Sequence, residues 1–291
     1  MVDFTVRRVV ESDRDDVLEI ARRTWGGHDY MPSQLDEWLK SPSCRLVGLE
    51  VAGRIIGLAN LHMIDSGRTG WMEGLRVHPR YRRKGLAKVL TDELVKEGRN
   101  AGVERLRYTT DSTNSASISL AKSIGMSVRA EMGVFWKGGL KRVKKGGVKE
   151  SPQYAERDAA ERILKGAAHL FSDGVIIHDW KAYDFCSEGI SQVLQSARAY
   201  ILTDNERIGS VTFGSVRTEG QDSGWSTAIY AETPSDFTRA LYSQVFLARA
   251  EGRPFLMGIY PLRFRHILLA ERWVPKWVER FSILLFEKRL G

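Results

Sequence analysis

Apolar and polar positions along the first half of the chain switch repeatedly between a period of two and a period near 3.6. Phe4, Val6 and Val9, with polar residues between them, predict a short strand, and Ser12 with Asp15 has the form of a capping box opening a helix to Arg23. Ser33 and Asp36 repeat that signal before a second helix ending near Lys40. RLVGLEV, the turn Ala52-Gly53-Arg54 and IIGLANLHMI predict a hairpin, and TGWMEGLRVHP a further strand closed by Pro79. From Gly85 to Asn100 the apolar positions Leu86, Val89, Leu90 and Leu94 recur at helical spacing, with Gly102 as the stop. LRYTTD then predicts a strand, SASISLAKSI a helix ended by Gly125, and SVRAEMGVFW a last strand, completing a mixed α/β domain over residues 1–136.

The second half repeats this layout in outline. ARAYILTDNERIGSVTFGSV predicts a hairpin and GWSTAIYA a strand; a helix capped by Ser235 and stopped by Gly252 follows, then the strand PFLMGIY. LAERWVPKWVERFSILLFEK parallels LAKSIGMSVRAEMGVFWKG as a helix end followed by a long strand, and Trp225, Tyr230, Tyr260 and Trp273 are expected in the core. At 291 residues there is room for two domains, each with its own core. The net charge of +8 locates the boundary: residues 1–136 carry 21 basic and 18 acidic side chains and 151–291 carry 17 of each, so the excess sits in 137–150, KGGLKRVKKGGVKE. Six basic residues and one acid among four glycines predict a flexible linker, with domains at 1–136 and 151–291. No aromatic residue is interleaved there for stacking, so nucleic acid is not an expected partner.

A composition of 43% hydrophobic and 27% charged residues excludes a disordered or low-complexity chain. No apolar run approaches the roughly 20 residues that cross a bilayer, and the charged N-terminus lacks the apolar stretch of a signal peptide. The expectation is a soluble, cytoplasmic protein without a membrane partner. Cys44 and Cys186 lie far apart with no metal-ligand spacing, so neither a disulfide nor a metal is expected.

The chemistry is expected at HPRYRRKGLAK, where Arg82-x-x-Gly85-x-Ala87 falls at a strand-to-helix turn. Backbone N–H groups at such a turn converge at the positive end of the helix dipole, where a phosphate can accept from them. Small residues at 85 and 87 permit close approach, while Arg82, Arg83, Lys84 and Lys88 add positive charge. Val77, Pro79, Arg82, Gly85 and Ala87 match V-x-P-x-x-[RQ]-x-x-G-x-[GA], and by them the sequence resembles the GNAT superfamily of acetyl-CoA-dependent N-acetyltransferases over about residues 3–136. Asn114, followed by Leu120, Gly125 and Met126, is similar to that superfamily's second cofactor-contacting segment.

The resemblance implies an α/β fold with a mixed sheet, in tandem GNAT-like domains of which the second is degenerate. It implies acetyl-CoA as cosubstrate, held by Leu75, Arg76, Val77, Arg82, Arg83, Lys84, Gly85, Leu86, Ala87, Lys88, Asn114 and Ser117, with the pantetheine between splayed strands. In the second half AETPSD replaces the basic glycine turn, so no cofactor is expected there; that domain would instead complete the acceptor site. An amine must lose a proton before it attacks a thioester. Glu73, on the strand forming the cofactor wall, is the candidate base or ammonium ligand; alternation places it with Trp71 and Leu75, opposite Met72, Gly74 and Arg76. Many members of the superfamily carry a tyrosine seven residues after the asparagine as general acid, whereas this chain has Ala121, leaving Tyr108, Tyr81 or water.

For the acceptor, TWGGHDYMPSQLDEWLKSP follows the first helix, offering Trp25, His28, Asp29 and Tyr30, with Trp38 expected in the core. Gly26-Gly27-x-Asp29-Tyr30-x-Pro32, Trp38-Leu39, Ile64-Asp65-x-Gly67 and Glu73-Gly74-Leu75-Arg76-Val77 resemble a narrower group, the histidine N-acetyltransferases and their relatives. That resemblance implies a small-molecule amine as partner, a free amino acid such as histidine acetylated on its α-amino group. Its carboxylate would need a cation, for which Arg76, Arg107 or a residue of the second half are open alternatives. Acetylation of a protein N-terminus or lysine, or non-catalytic sensing of acetyl-CoA, are the competing functions.

Overall fold

In the computed structural model, residues 3–143, 152–204, 207–219 and 222–291 are described. The chain forms β1 (Thr5–Arg8), α1 (Arg14–Arg22), α2 (Met31–Lys40), β2 (Cys44–Val51), β3 (Arg54–Ile64), β4 (Thr69–Val77), α3 (Leu86–Asn100), β5 (Arg105–Asp111), α4 (Ser115–Ser123) and β6 (Ser127–Gly138). There follow β7 (Gln153–Tyr154), α5 (Arg157–Lys165), β8 (Val175–His178), β9 (Lys181–Asp184), α6 (Ser187–Ser196), β10 (Arg198–Asp204) and β11 (Arg207–Glu219). The last elements are β12 (Asp222–Ala231), α7 (Pro234–Ala250), β13 (Phe255–Pro261), α8 (Arg265–Ala270) and β14 (Ser282–Arg289). Among the described residues no helix is long and apolar enough to cross a membrane.

Two compact units emerge. The first gathers Met1–Tyr108, Ala116–Ser127 and Phe286–Gly291; the second gathers Thr109–Ser115 and Val128–Leu285. The division therefore departs from a simple cut at 137–150. β6 past its first residue joins the second unit, and the chain's last six residues join the first. The start of the expected linker is ordered: Leu140 is buried, and the Arg249 guanidinium donates to its carbonyl at 2.8 Å. Residues 144–150 lie outside the described ones.

In the first unit the strand order is β1-β2-β3-β4-β5, with Phe286–Arg289 of β14 beside β5. β1 to β4 pair antiparallel and β4 pairs parallel with β5. Its apolar core joins Val17, Ile20, Met31, Leu35 and Trp38 of α1 and α2 to Leu46 and Leu58 of the sheet. Cys44, a buried thiol, packs in the same cluster. Both expected helix caps are shifted. Ser12 caps nothing: the Asp13 carboxylate takes the Val10 N–H at 2.9 Å and both its oxygens accept from Arg7, and α1 starts at Arg14. α2 starts at Met31, whose N–H is taken by Asp29 at 3.1 Å; Ser33 lies inside the helix and donates to the Tyr30 carbonyl.

In the second unit the order is β14-β6-β13-β12-β11-β10-β7, with β12 and β13 parallel and β10 to β12 antiparallel. α7 packs Phe237, Ala240, Leu241 and Val245 against Trp225, Ile229, Leu256, Tyr260 and Trp273, so the expected aromatic core is in place. Residues 152–196, for which the hydrophobic pattern carried no assignment, supply α5, α6 and the hairpin β8–β9. That hairpin is pinned by Tyr230, whose hydroxyl donates to the Ile177 carbonyl at 3.0 Å and accepts from its N–H at 2.7 Å.

Candidate active site

The turn Arg82–Ala87 lies in the first unit, between β4 and α3. Gly85 precedes α3 at φ +78°, a left-handed conformation that favours glycine, and no side chain caps the helix. Among the described residues the N–H groups of Arg83, Lys84, Gly85, Leu86 and Ala87 have no hydrogen-bond acceptor; the first helical bonds come from Lys88 and Val89 to the Gly85 carbonyl. The first turn of α3 contains no acidic residue. Arg83 and Lys84 are exposed, and Lys84 Nζ lies 5.5 Å from the Tyr81 ring centre. The remaining cations are engaged locally, Arg82 Nε with the Val77 carbonyl at 3.0 Å and Lys88 with Asp92 at 2.7 Å. Five unpaired donors at a positive helix end, with no carboxylate in the first turn, fit a pyrophosphate group.

β4 meets β5 only at Thr69–Trp71 opposite Arg105–Arg107, so from Met72 onward its edge on that side is released from the ladder, as a splayed pair requires. On its other side β4 pairs with β3 through a bulge: Asn60 faces Glu73 and Leu58 faces Arg76, leaving Gly74 and Leu75 opposite Ala59. The bulge corrects the alternation expected from sequence. Glu73 and Arg76 share one face of β4, while Leu75 and Val77 turn to the other. Gly74 is required there twice over, by its φ of +68° and because a Cβ would lie 2.4 Å from the Trp38 ring.

Glu73 is half-buried and accepts from Asn60 Nδ2 at 3.0 Å, and His62 Nδ1 stands 3.7 Å from the same carboxylate oxygen. The carboxylate also orients the Asn60 amide, because the flipped form would set oxygen against oxygen. Asn60 and His62 were not singled out from sequence. The available signal was their i, i+2 spacing in the otherwise apolar stretch LANLHMI.

Asp29 and Arg76 form a bidentate pair, Nε to Oδ2 at 2.8 Å and Nη2 to Oδ1 at 3.1 Å, with side chains 1% and 12% exposed. The guanidinium stacks 4.2 Å from the Trp25 ring and 5.5 Å from Tyr30. Arg76 also donates to the Leu75 carbonyl at 2.9 Å, so its side chain is engaged with Asp29 and its own strand. Tyr30 presents its ring to solvent yet turns its hydroxyl inward to accept the Gly74 N–H at 3.3 Å, and burial of that hydroxyl pushes the phenol pKa up. Trp25 is exposed on the run Trp25-Gly26-Gly27, all at positive φ, and His28 after it is exposed.

Arg107 is 3% exposed, bonded through Nε to Glu287 at 2.7 Å and within 3.7 Å of Asp65. Ser117 lies in α4 of the first unit, where its carbonyl accepts from the Tyr108 hydroxyl at 2.8 Å. Burial also raises the pKa of that phenol. Asn114, just before α4, falls in the second compact unit. Ala121 is buried in α4. Among the described residues no three His, Cys, Asp or Glu side chains gather where they could hold a metal ion.

Residues 14–126 match the Acetyltransferase (GNAT) family. The chain is 38% identical over 113 residues to human "Probable N-acetyltransferase 16", covering 38% of this chain and 30% of that protein. It is 32% identical over 116 residues to histidine N-acetyltransferase of Xenopus tropicalis, covering 39% and 36% respectively. The matched region thus spans about a third of the length of these relatives. The crystal structure of GCN5-related N-acetyltransferase from Kribbella flavida resembles the whole fold, with a TM-score of 0.57 at 15% identity over 99% of this chain and 71% of that one.

Proposed function

We propose, from the premise that residues 14–126 are a GNAT-family acetyltransferase domain, that this chain transfers an acetyl group from acetyl-CoA to the α-amino group of a small metabolite, a free amino acid such as histidine. The observation that carries the reading is the uncapped start of α3, with five N–H groups unpaired among the described residues. Arg83–Ala87 would hold the pyrophosphate through these donors, and the released edge of β4 around Leu75–Val77 would hold the pantetheine. Acetyl-CoA supplies the activated acyl group. The protein's own task is to bring a neutral amine to it.

Glu73 serves that task. Its carboxylate is fixed by Asn60 and lies on the face lined by Trp25, Asp29 and Tyr30 through Arg76. It binds the ammonium form and takes its proton, with His62 as the next basic atom at 3.7 Å. An α-amine, at a pKa of about 7.7–8.0, yields a proton far more readily than a lysine side chain near about 10.4, so a single carboxylate suffices. The amino-acid acceptor is supported by the name of the Xenopus relative and by charged groups of both signs on one face of β4.

The test is release of coenzyme A thiol from acetyl-CoA with a panel of free amino acids, polyamines and short peptides. Release with histidine or a similar amino acid, abolished by Gly85→Glu, is the expected result. Tight acetyl-CoA binding without release for any amine would replace this reading with a non-catalytic sensor.

A further inference from the structure

We infer that Arg76 is the carboxylate anchor of the acceptor, so that Glu73 and Arg76, brought to one face by the Gly74 bulge, read the two charges of a free α-amino acid. The inference rests on the acetyl-transfer reading above and names the acceptor class. An arginine has five N–H donors. Three of Arg76's are committed, Nε and one on Nη2 to Asp29 and one on Nη1 to the Leu75 carbonyl. One donor remains on each terminal nitrogen, the pair that a carboxylate accepts in bidentate fashion.

The rest of the cluster fixes that fork. Asp29 grips the guanidinium edge and is itself locked by the Met31 N–H at the start of α2, while Trp25 covers one face at 4.2 Å. A planar group held by its edge and its face has little freedom to lose when it binds. Arg107, the other sequence candidate, is nearly inaccessible and already shared between Glu287 and Asp65, so it does not compete. Across the bulge, Glu73 stands opposite Asn60 and Arg76 opposite Leu58, two positions apart on β3, a separation of roughly 6–7 Å along a strand. An ammonium on Glu73 and a carboxylate on Arg76 would then both belong to one small molecule. A peptide N-terminus or a polyamine offers the ammonium without the adjacent carboxylate.

The experiment compares kcat/KM of the full chain for L-histidine, L-histidinamide and histamine, each expressed per unprotonated amine. The unaltered protein is expected to favour histidine over both analogues by about a hundredfold, mostly through KM. Arg76→Lys and Arg76→Gln should bring the three substrates within about tenfold of one another while coenzyme A affinity is retained. Equal kcat/KM for histidine and histidinamide in the unaltered protein overturns the anchor and leaves acetyl transfer standing. Release of thiol with none of the three, nor with any other amine, overturns the acetyl-transfer reading and the anchor with it. Because the comparison of analogues needs no substitution, misfolding of a variant leaves it decisive.

Discussion

The helices α3 and α7 occupy the same place in two similar strand–helix–strand segments, β4–α3–β5 and β12–α7–β13, each joining a parallel pair. Their first turns are opposites. α3 begins at a left-handed glycine with no side-chain cap and no acid in its first turn. α7 begins at Thr233, whose Oγ1 accepts the Asp236 N–H at 3.1 Å, while the Asp236 carboxylate accepts the Thr233 N–H at 3.3 Å. Pro234 removes another donor. One terminus is capped by its own side chains; the other has no side-chain cap. The strand–helix–strand arrangement is common to both, and on the proposed reading the capacity to bind lies in what the first unit omits.

Gly85→Glu should break that difference most strongly. It puts a carboxylate at the positive end of α3 and a side chain at φ +78°. Coenzyme A affinity measured by calorimetry should fall about a thousandfold, roughly 4 kcal/mol, with thiol release lost in parallel. A variant that is folded and still binds coenzyme A would remove the turn from the site.

The second unit buries a titratable side chain, and acid should expose this next. Complete burial lowers the pKa of His178 from 6.5 to about 4; its Nε2 shares a 3.1 Å hydrogen bond with Ser215, and Nδ1 has no partner among the described residues. The native state resists protonation there, so between pH 6.5 and about 4 the unfolded chain binds more protons and stability falls with pH. The slope is about 1.4 kcal/mol per pH unit, and it ends below about 4 where both states are protonated. Thermal melts across this window check it; in His178→Gln that part of the acid sensitivity should vanish, and an unchanged profile would refute the assignment.

How much of this was legible follows from the range of the interactions. The turn at Arg82–Ala87 was readable because a local conformation and a local charge pattern specify it. The β2–β3 hairpin was readable from Ala52-Gly53 for the same reason, and both residues take the positive φ that their turn needs. The sharing of one face by Glu73 and Arg76 was not, since a bulge depends on Trp38 of α2 lying against Gly74, a contact across many residues. Asp29 in place of Ser33, and Thr233 in place of Ser235, show the same limit at helix starts: several side chains could cap, and tertiary partners such as Arg76 select among them. In the second unit β8 and β9, four residues each, supply too few alternations to count, whereas α5 and α6 match α1 and α2 in length and length does not explain why they carried no assignment.

Removing the α7 cap should cost less than either change above. Thr233→Ala and Asp236→Ala each take away one half of the capping box, and each should lower stability by about 0.5–2 kcal/mol. Denaturant midpoints would register this loss while coenzyme A affinity stays unchanged. Weaker coenzyme A binding in these variants would show that the second unit carries part of the cofactor site.

The smallest effect separates charge from geometry. Lys84 is exposed at the α3 turn, whereas Glu232, beside the α7 turn, pairs with Arg207 and lies 3.3 Å from His169. If surface charge made the site, Lys84→Ala would abolish coenzyme A binding, and Glu232→Lys would begin to create it in the second unit. Exposed ions are screened by salt over about 8–10 Å and contribute about 1 kcal/mol or less. Lys84→Ala is therefore expected to weaken binding by roughly two- to fivefold at low salt, and less as salt is raised. Glu232→Lys, introduced together with Gly85→Glu so that the first turn is silent, is expected to restore none. On the proposed reading the site at α3 is made by five N–H groups that have no acceptor among the described residues, and a lysine added beside a capped helix supplies charge without them.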